Sequence, residues 1–162
     1  MMTMMIYAIA LGYIFDATHK RTPYFIKTLN KWVNRGELIE ILVKVAHGFA
    51  PAKDGNGSWR TVDDIPELNA SVKSECFSLT QEYLGDNVND IVTTYLENVH
   101  AKTFLYVILD EETQTLAEYR MDAEMFGRFL RKFGKYRPSD KKLRGSTDSQ
   151  ALRCWLKANA HG

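Results

Sequence analysis

The sequence predicts an α+β fold in which a small antiparallel sheet is packed with about five or six helices. Three observations predict it. The runs 102–109 and 115–121 are rich in β-branched and aromatic residues, and the short polar turn between them indicates an antiparallel hairpin. The run 4–15 is apolar without alternation, as in a strand covered on both faces. Most of the remaining chain has apolar residues at helical spacing.

Two helices are predicted between the first strand and the long loop. Thr22 followed by Pro23 is a typical helix start, and Gly36 is a typical helix end. The segment 37–47 also has apolar residues at helical spacing, so we favour a helix, although its β-branched content leaves a strand open. Proline and glycine break any period in 48–66, which predicts a long mobile loop.

Two more helices are predicted before the hairpin. Ser71 is a typical capping residue for a helix that Gly85 ends. Asp86 or Asn87 caps the next helix, whose apolar residues again lie on one face.

The chain after the hairpin is predicted to hold the last two helices. Asp122 caps the first of them and Gly134 ends it. A basic loop follows at 136–146, and a final helix covers about 147–158. The whole chain, 1–162, is expected to be one globular domain.

Composition limits the classes of protein that the chain can represent. Of the 162 residues 45% are hydrophobic, and the net charge is only +1, which excludes a mainly disordered chain and an indiscriminate polycation. The near-neutral total conceals a segregation of charge along the chain. Residues 1–60 carry +4, residues 61–120 carry −9, and residues 121–162 carry +6.

The positive charge of the C-terminal third is concentrated in one cluster. On the helix after Asp122, cations form a stripe opposite the apolar stripe, and more cations follow in the basic loop. The cluster comprises Arg128, Arg131, Lys132, Lys135, Arg137, Lys141, Lys142 and Arg144. Such a cluster neutralises phosphates, so the sequence predicts a non-catalytic protein that contacts nucleic acid or a nucleoprotein complex. The alternative is a solvated face whose cations complement the helix dipole.

The acidic middle segment supports a second hypothesis, in which the protein is an inhibitor or adaptor that binds a basic protein site. One form of this hypothesis is a nucleic-acid mimic like those that mobile elements encode, although the sequence does not establish such an origin. The candidate contact residues are Glu75, Glu82 and Asp90, together with Trp59 and Arg60 in the long loop. A homo-oligomer in which acidic and basic faces meet is a further alternative.

An enzyme is the third and least favoured hypothesis. Asp16 and His19 lie in the connection between the first strand and the predicted first helix. A carboxylate and an imidazole at this spacing can form an oriented acid–base pair. The connection has no glycine for close approach to a phosphate, so it is neither a P-loop nor a dinucleotide-binding turn.

No metal or cofactor is expected. The stretch 54–59 resembles the start of a calcium loop, but Trp59 occupies the sixth position and Ile65 the twelfth, which excludes calcium. Cys76 and Cys154 are far apart in sequence and show no metal-ligand spacing with histidines, so both are predicted to be buried free thiols.

Neither a signal peptide nor a membrane span is expected. The first lysine, Lys20, comes after the N-terminal apolar run instead of before it. The run ends at Asp16, which makes it too short to cross a bilayer. The expected location is therefore the cytoplasm.

Overall fold

The computed structural model describes residues 4–8, 12–51, 58–74, 78–79, 84–145 and 150–160, with the backbone alone for 4–8. This part of the chain forms four helices and three small sheets. The helices are α1 (Arg35–Ala46), α2 (Val88–Asn98), α3 (Ala123–Phe133) and α4 (Gln150–Asn159). The strands are β1 (Met4–Ala8), β2 (Tyr13–Phe15), β3 (Tyr24–Ile26), β4 (Lys31–Val33), β5 (Ala70–Ser74), β6 (Ser78–Leu79), β7 (Thr103–Asp110), β8 (Thr115–Met121), β9 (Gly134–Arg137) and β10 (Lys142–Gly145).

The largest sheet has four strands in the order β1-β8-β7-β5. β7 and β8 form an antiparallel hairpin, β1 pairs antiparallel with β8, and β5 pairs parallel with β7. The other two sheets have three antiparallel strands each, in the orders β2-β3-β4 and β6-β10-β9.

β7 is buried on both faces and separates two apolar cores. Its side chains alternate between them, as the pleat of a strand requires. Phe104, Tyr106 and Ile108 pack on the side of α2, α3 and α4. Leu105, Val107 and Leu109 pack on the side of α1, β3 and β4. The fold therefore has three layers, with the four-stranded sheet in the middle.

Several predicted elements are confirmed. The hairpin is β7 and β8, and the helix favoured for 37–47 is α1, which begins two residues earlier. Its start is fixed by Asn34, whose side chain accepts a hydrogen bond of 2.8 Å from the backbone N–H of Glu37. Asn87 and Asp122 cap α2 and α3 in the same way.

The prediction of about five or six helices around one sheet is wrong, although a mixed α+β fold fits. One cause is the segment 23–35, which forms β3, a short 3-10 turn and β4 instead of a helix. Asn30 adopts a left-handed conformation with φ of 50° and reverses the chain direction. Ile26 of β3 and Val33 of β4 are fully buried, so the apolar residues reach the core from two paired strands instead of one helix face.

The second cause is the segment 71–85, where the predicted helix is replaced by strand β5 and the short β6. Ser71 does not cap a helix. Its hydroxyl donates a 3.3 Å hydrogen bond to Asp64 Oδ2, which also accepts a 2.8 Å bond from the Val72 N–H. Pairing with β7 then outweighs the helical spacing of the apolar residues, and part of this segment lies outside the described residues.

Two further segments differ from the expectation. The run 4–15 is not one buried strand, because β1 joins the four-stranded sheet while β2 joins the β2-β3-β4 sheet, where Ile14 and Phe15 are exposed. The stretch 136–146, expected as a basic loop, is largely strand, because β9 and β10 pair as a hairpin.

Candidate functional site

The β9–β10 hairpin carries four cations on one face. Its register places Arg137 opposite Lys142 and Lys135 opposite Arg144. Side chains that are directly opposite share a face of the sheet, so all four point to the same side. Leu143, between them on β10, is fully buried on the other side.

Asp140, in the turn of this hairpin, is the internal counter-ion. Its carboxylate forms an ion pair with Arg137 and lies 4.0 Å from the guanidinium of Arg144. The hydrogen bond from Arg137 holds the pKa of the Asp140 carboxyl below its usual range, and the pKa of Arg137 is raised in return. One carboxylate thus offsets part of the charge of four cations.

Helix α3 supplies the second part of the cationic surface. Phe126, Phe129 and Leu130 are fully buried and fix the inner face of the helix. Arg128 and Lys132 lie on the opposite, exposed face. The helix continues directly into β9, so the cations of α3 and of the hairpin follow one another without a linker.

The start of α2 brings these two groups of cations together. Arg131 of α3 donates hydrogen bonds to Asn89 Oδ1 at 3.0 Å and to Thr93 Oγ1 at 3.2 Å. Lys141 of the hairpin turn lies 3.7 Å from Asp86, just before the same helix. We call the outer face of α3 together with the cationic face of the hairpin the basic surface.

The eight predicted cations differ in their environments. Arg128 and Lys135 are exposed, and neither has an ion-pair partner within the described ranges. Lys132 is also exposed, with its Nζ 5.8 Å from the ring centroid of Phe133. Lys142 and Arg144 are half-buried. The structure therefore leaves cations at both ends of the basic surface accessible to an anion.

The acidic candidates do not form a described surface. Glu75 and Glu82 lie outside the described residues. Asp90 is exposed in the first turn of α2, where its carboxylate accepts a 2.9 Å hydrogen bond from the side chain of Asn87. Since Asn87 accepts in turn from the Asp90 N–H, the two residues form a reciprocal helix cap.

Trp59 packs against the core, and Arg60 lies over the ring of Trp59. The indole of Trp59 is half-buried, with its ring centroid 5.1 Å from that of Tyr95. The guanidinium of Arg60 lies 4.7 Å from the Trp59 ring centroid. Of the long loop 48–66, residues 52–57 lie outside the described residues.

Asp16 and His19 do not form a paired acid and base. The Asp16 carboxylate accepts two hydrogen bonds from Thr18, at 2.9 Å from its N–H and 2.7 Å from its hydroxyl, and these lower the pKa of Asp16. The exposed imidazole of His19 stacks on Trp32 instead. The chain continues into β3, so the helix predicted to start at Thr22 and Pro23 is replaced by a strand.

Sequence reasoning missed a buried carboxylate–imidazole pair at the four-stranded sheet. Glu118 of β8 is 1% exposed, and its Oε2 lies 2.8 Å from Nε2 of His47, just after α1. Arg120 is 3.9 Å from the other carboxylate oxygen. The alternation of β8 could have shown that Glu118 faces a core, because Leu116 two residues earlier is buried on that side.

A second carboxylate–imidazole pair lies beside Trp59. The nearly buried Asp63 has Oδ1 2.7 Å from Nδ1 of His100, whose side chain is about half exposed. Nearby, burial lowers the pKa of Lys73, an effect that Asp64 partly offsets, and burial raises the pKa of Tyr95 to about 12. No sequence motif links these residues.

The remaining sequence predictions concern metals, thiols and membranes. In the described ranges, three or more histidine, cysteine or acidic side chains never gather into a group able to hold a metal ion. Cys154 is free but exposed on α4, which contradicts its predicted burial, and Cys76 lies outside the described residues.

Among the described helices, none is long and apolar enough to cross a membrane.

Comparisons of the chain with protein-family models, with curated proteins and with solved structures gave no match. We therefore argue function from the residues of this chain.

Proposed function

We propose that the protein binds nucleic acid, and that the basic surface contacts its phosphates. The cations of α3 and of the β9–β10 hairpin meet at the first turn of α2, through Arg131 and Lys141. A polyanion that lies along this surface neutralises cations from both elements at once.

The register of the hairpin is the observation that supports the proposal. Two like-charged pairs, Arg137 with Lys142 and Lys135 with Arg144, are directly opposite each other. Like charges in this position destabilise a sheet, and one carboxylate, Asp140, offsets them only in part. Exposure to solvent alone does not explain why like charges are placed opposite each other. A bound phosphate backbone explains it, because its phosphates can neutralise the four cations.

The proposal is tested by reversing cations that have no structural role. Arg128 and Lys135 are suitable because both are exposed and unpaired within the described residues, whereas Arg131 also holds α2. We expect the Arg128→Glu/Lys135→Glu variant to bind duplex DNA and RNA more weakly. The slope of log K against log salt should become shallower by about 0.9 for each phosphate that the variant no longer neutralises.

A control of equal charge change is Lys102→Glu/Lys157→Glu. Both lysines are exposed and lie outside the basic surface. Filter binding at low and at physiological salt should show near-normal affinity for this control. If the two double variants lose affinity equally, or if the wild-type protein binds no duplex at low salt, the basic surface is not a nucleic-acid site.

A further inference from the structure

The outer face of the β2-β3-β4 sheet carries the half-buried Phe25 and Trp32, and His19 of the preceding connection lies on it. Ile26 and Val33 face inward and are fully buried. The register pairs Ile14 with Phe25 and Phe25 with Trp32, so these three side chains form a row across the outer face. The rings of Phe25 and Trp32 are 5.1 Å apart.

Large apolar side chains are exposed at the edge of this sheet. Ile14, on the outer face, is 46% exposed, and its neighbour Phe15 is 57% exposed; they are the large apolar side chains that stand out as exposed in the described ranges. Phe15 pairs with the buried Tyr24, so it lies on the other face of the sheet. Both lie on β2, at the edge of the small sheet. Exposed apolar groups that are concentrated in one place indicate a contact surface.

His19 shows which kind of group fits this surface. Its imidazole lies parallel to the indole of Trp32, with ring centroids 3.5 Å apart and planes inclined by 8°. Two flat heteroaromatic rings in this geometry are arranged as stacked bases are. His19 is exposed, and among the described residues no ring covers its outer side. A planar base can therefore stack on the outer side of His19 and extend the stack of rings.

Exposed cations lie beyond both ends of β3, on the two sides of the aromatic row. Lys20 and Arg21 are in the connection before β3, and Lys27 and Lys31 flank the turn between β3 and β4. Lys31 pairs with the buried Ile26, so its side chain leaves β4 on the face opposite to Trp32. Asp16, the carboxylate of this region, is hydrogen-bonded within its own loop.

We propose that this face, which we call the aromatic platform, binds single-stranded nucleic acid. Unpaired bases stack on the outer side of His19, whose inner side lies on Trp32, and pack against Ile14 and Phe25, while the flanking cations neutralise phosphates. Charge and shape together favour this occupant, because a single strand offers flat rings and anions in alternation. The platform lies on the α1 side of the central sheet, so it is a site separate from the basic surface.

The stacking contribution is tested with RNA and DNA oligonucleotides of about ten nucleotides, the site size of comparable stacking surfaces. His19→Ala removes a surface ring without disturbing the core, and we expect at least about a five-fold loss of affinity in fluorescence anisotropy. His19→Phe keeps a flat ring and should retain binding. RNA and DNA are compared because stacking alone does not distinguish them. Equal binding by the alanine variant and wild type would overturn the proposal.

The charge contribution is tested with Lys20→Glu/Lys27→Glu against the control Lys102→Glu/Lys157→Glu. We expect only the first pair to weaken single-strand binding, in a salt-dependent way. If the Arg128→Glu/Lys135→Glu variant loses single-strand binding while the platform variant keeps it, the platform is not the site, although the proposed function stands. If the platform variant alone loses it, the platform is supported even where duplex binding fails. Binding of anionic vesicles in place of oligonucleotides would also overturn the proposal.

Discussion

Glu118 shows how a single residue sets the stability of the central sheet. A carboxylate that is 1% exposed costs several kcal/mol to bury unless it keeps its partners. The partners are the imidazole of His47 at 2.8 Å and, more weakly, the guanidinium of Arg120 at 3.9 Å. The pair joins the end of α1 to β8, so it also ties an outer layer to the sheet.

We expect His47→Ala to lower the free energy of unfolding by roughly 3 kcal/mol, because among the described residues Glu118 then keeps only the distant Arg120. Urea unfolding of the purified variant measures this loss. The double variant His47→Ala/Glu118→Leu should recover much of it, since the buried charge is then removed together with its partner. A double variant that is less stable than His47→Ala alone would show that the pair does not act in this way.

At the scale of elements, the sequence predicts those helices and strands that are long or capped. α2 and α3 are found because Asn87 and Asp122 cap them and their apolar residues repeat over three turns. β7 and β8 are found because two strand-like runs, of eight and seven residues, lie on either side of one polar turn.

The short strands are missed for a physical reason. β3 and β4 have three residues each, too few to distinguish a period of two from one of 3.6, and their stability comes from pairing and burial. One local signal was present. Asn30 and Asn69 both adopt φ of 50° after a 3-10 turn, and each leads into a strand. Asparagine is one of the few residues that adopt this conformation readily, so it marks such turns.

Site residues are predicted only as far as their elements are. The cations of the basic surface are correctly placed on α3, because the helix is predicted, but their pairing across β9 and β10 is not. The aromatic platform could not be predicted from the sequence, because the helix predicted for this segment places Phe25 and Trp32 on its inner face. The register of β2, β3 and β4 places them on the outer face of a sheet instead.

Gly134 fixes the junction between α3 and β9. A Cβ atom at this position would lie 2.5 Å from the carbonyl oxygen of Leu130 and 2.9 Å from the side chain of Leu143. We expect Gly134→Ala to lower the free energy of unfolding by about 1–3 kcal/mol, because the hairpin must shift away from the helix. Thermal unfolding measures this, and Gly12→Ala is the control, since a Cβ there meets no atom within 4 Å. Equal stability of the two variants would contradict the close approach.

Asp140 controls the charge of the β9–β10 hairpin. We expect Asp140→Asn to bind nucleic acid more tightly, because Arg137 is released from its ion pair and a carboxylate no longer repels phosphate. The salt dependence of binding should steepen by about one neutralised phosphate, or about 0.9 in slope. Filter binding over a salt series measures both effects, and unchanged affinity and slope would contradict the role of Asp140 as a counter-ion.

The same variant should alter stability at low pH. The pKa of Asp140 is lowered in the folded protein, so its contribution is present above the unfolded pKa and is lost as the pH falls through the folded value. Wild type should therefore be the more stable protein at neutral pH and should approach the variant in acid. Urea unfolding at both pH values tests this, and a constant difference between the two proteins would contradict it.

At the scale of the whole molecule, the near-zero net charge is the sum of basic and acidic segments. The fold brings some of these opposite charges into contact and keeps others apart. Lys141 with Asp86 and Arg35 with Glu111 join basic and acidic segments across 3.7 and 3.2 Å. Exposed cations of the described residues gather in two places on opposite sides of the central sheet, at the basic surface and beside the aromatic platform, while Lys102 and Lys157 lie apart from both. A neutral total is therefore compatible with two anion sites that do not overlap.

This separation predicts how affinity depends on the length of a single strand. The two sites are separated by at least the two layer spacings of about 10 Å each, so an oligonucleotide of about six nucleotides occupies one site only. One of about thirty nucleotides can reach both, and the second contact is then intramolecular. A longer strand also binds more tightly simply because it offers more positions at which one site can bind. We expect the affinity of the long strand to exceed this statistical increase by roughly 100-fold. Fluorescence anisotropy measures both affinities, and the advantage should disappear in His19→Ala and in Arg128→Glu/Lys135→Glu alike. If either variant keeps the full advantage, the long strand does not bridge the two sites, because bridging requires both contacts at the same time.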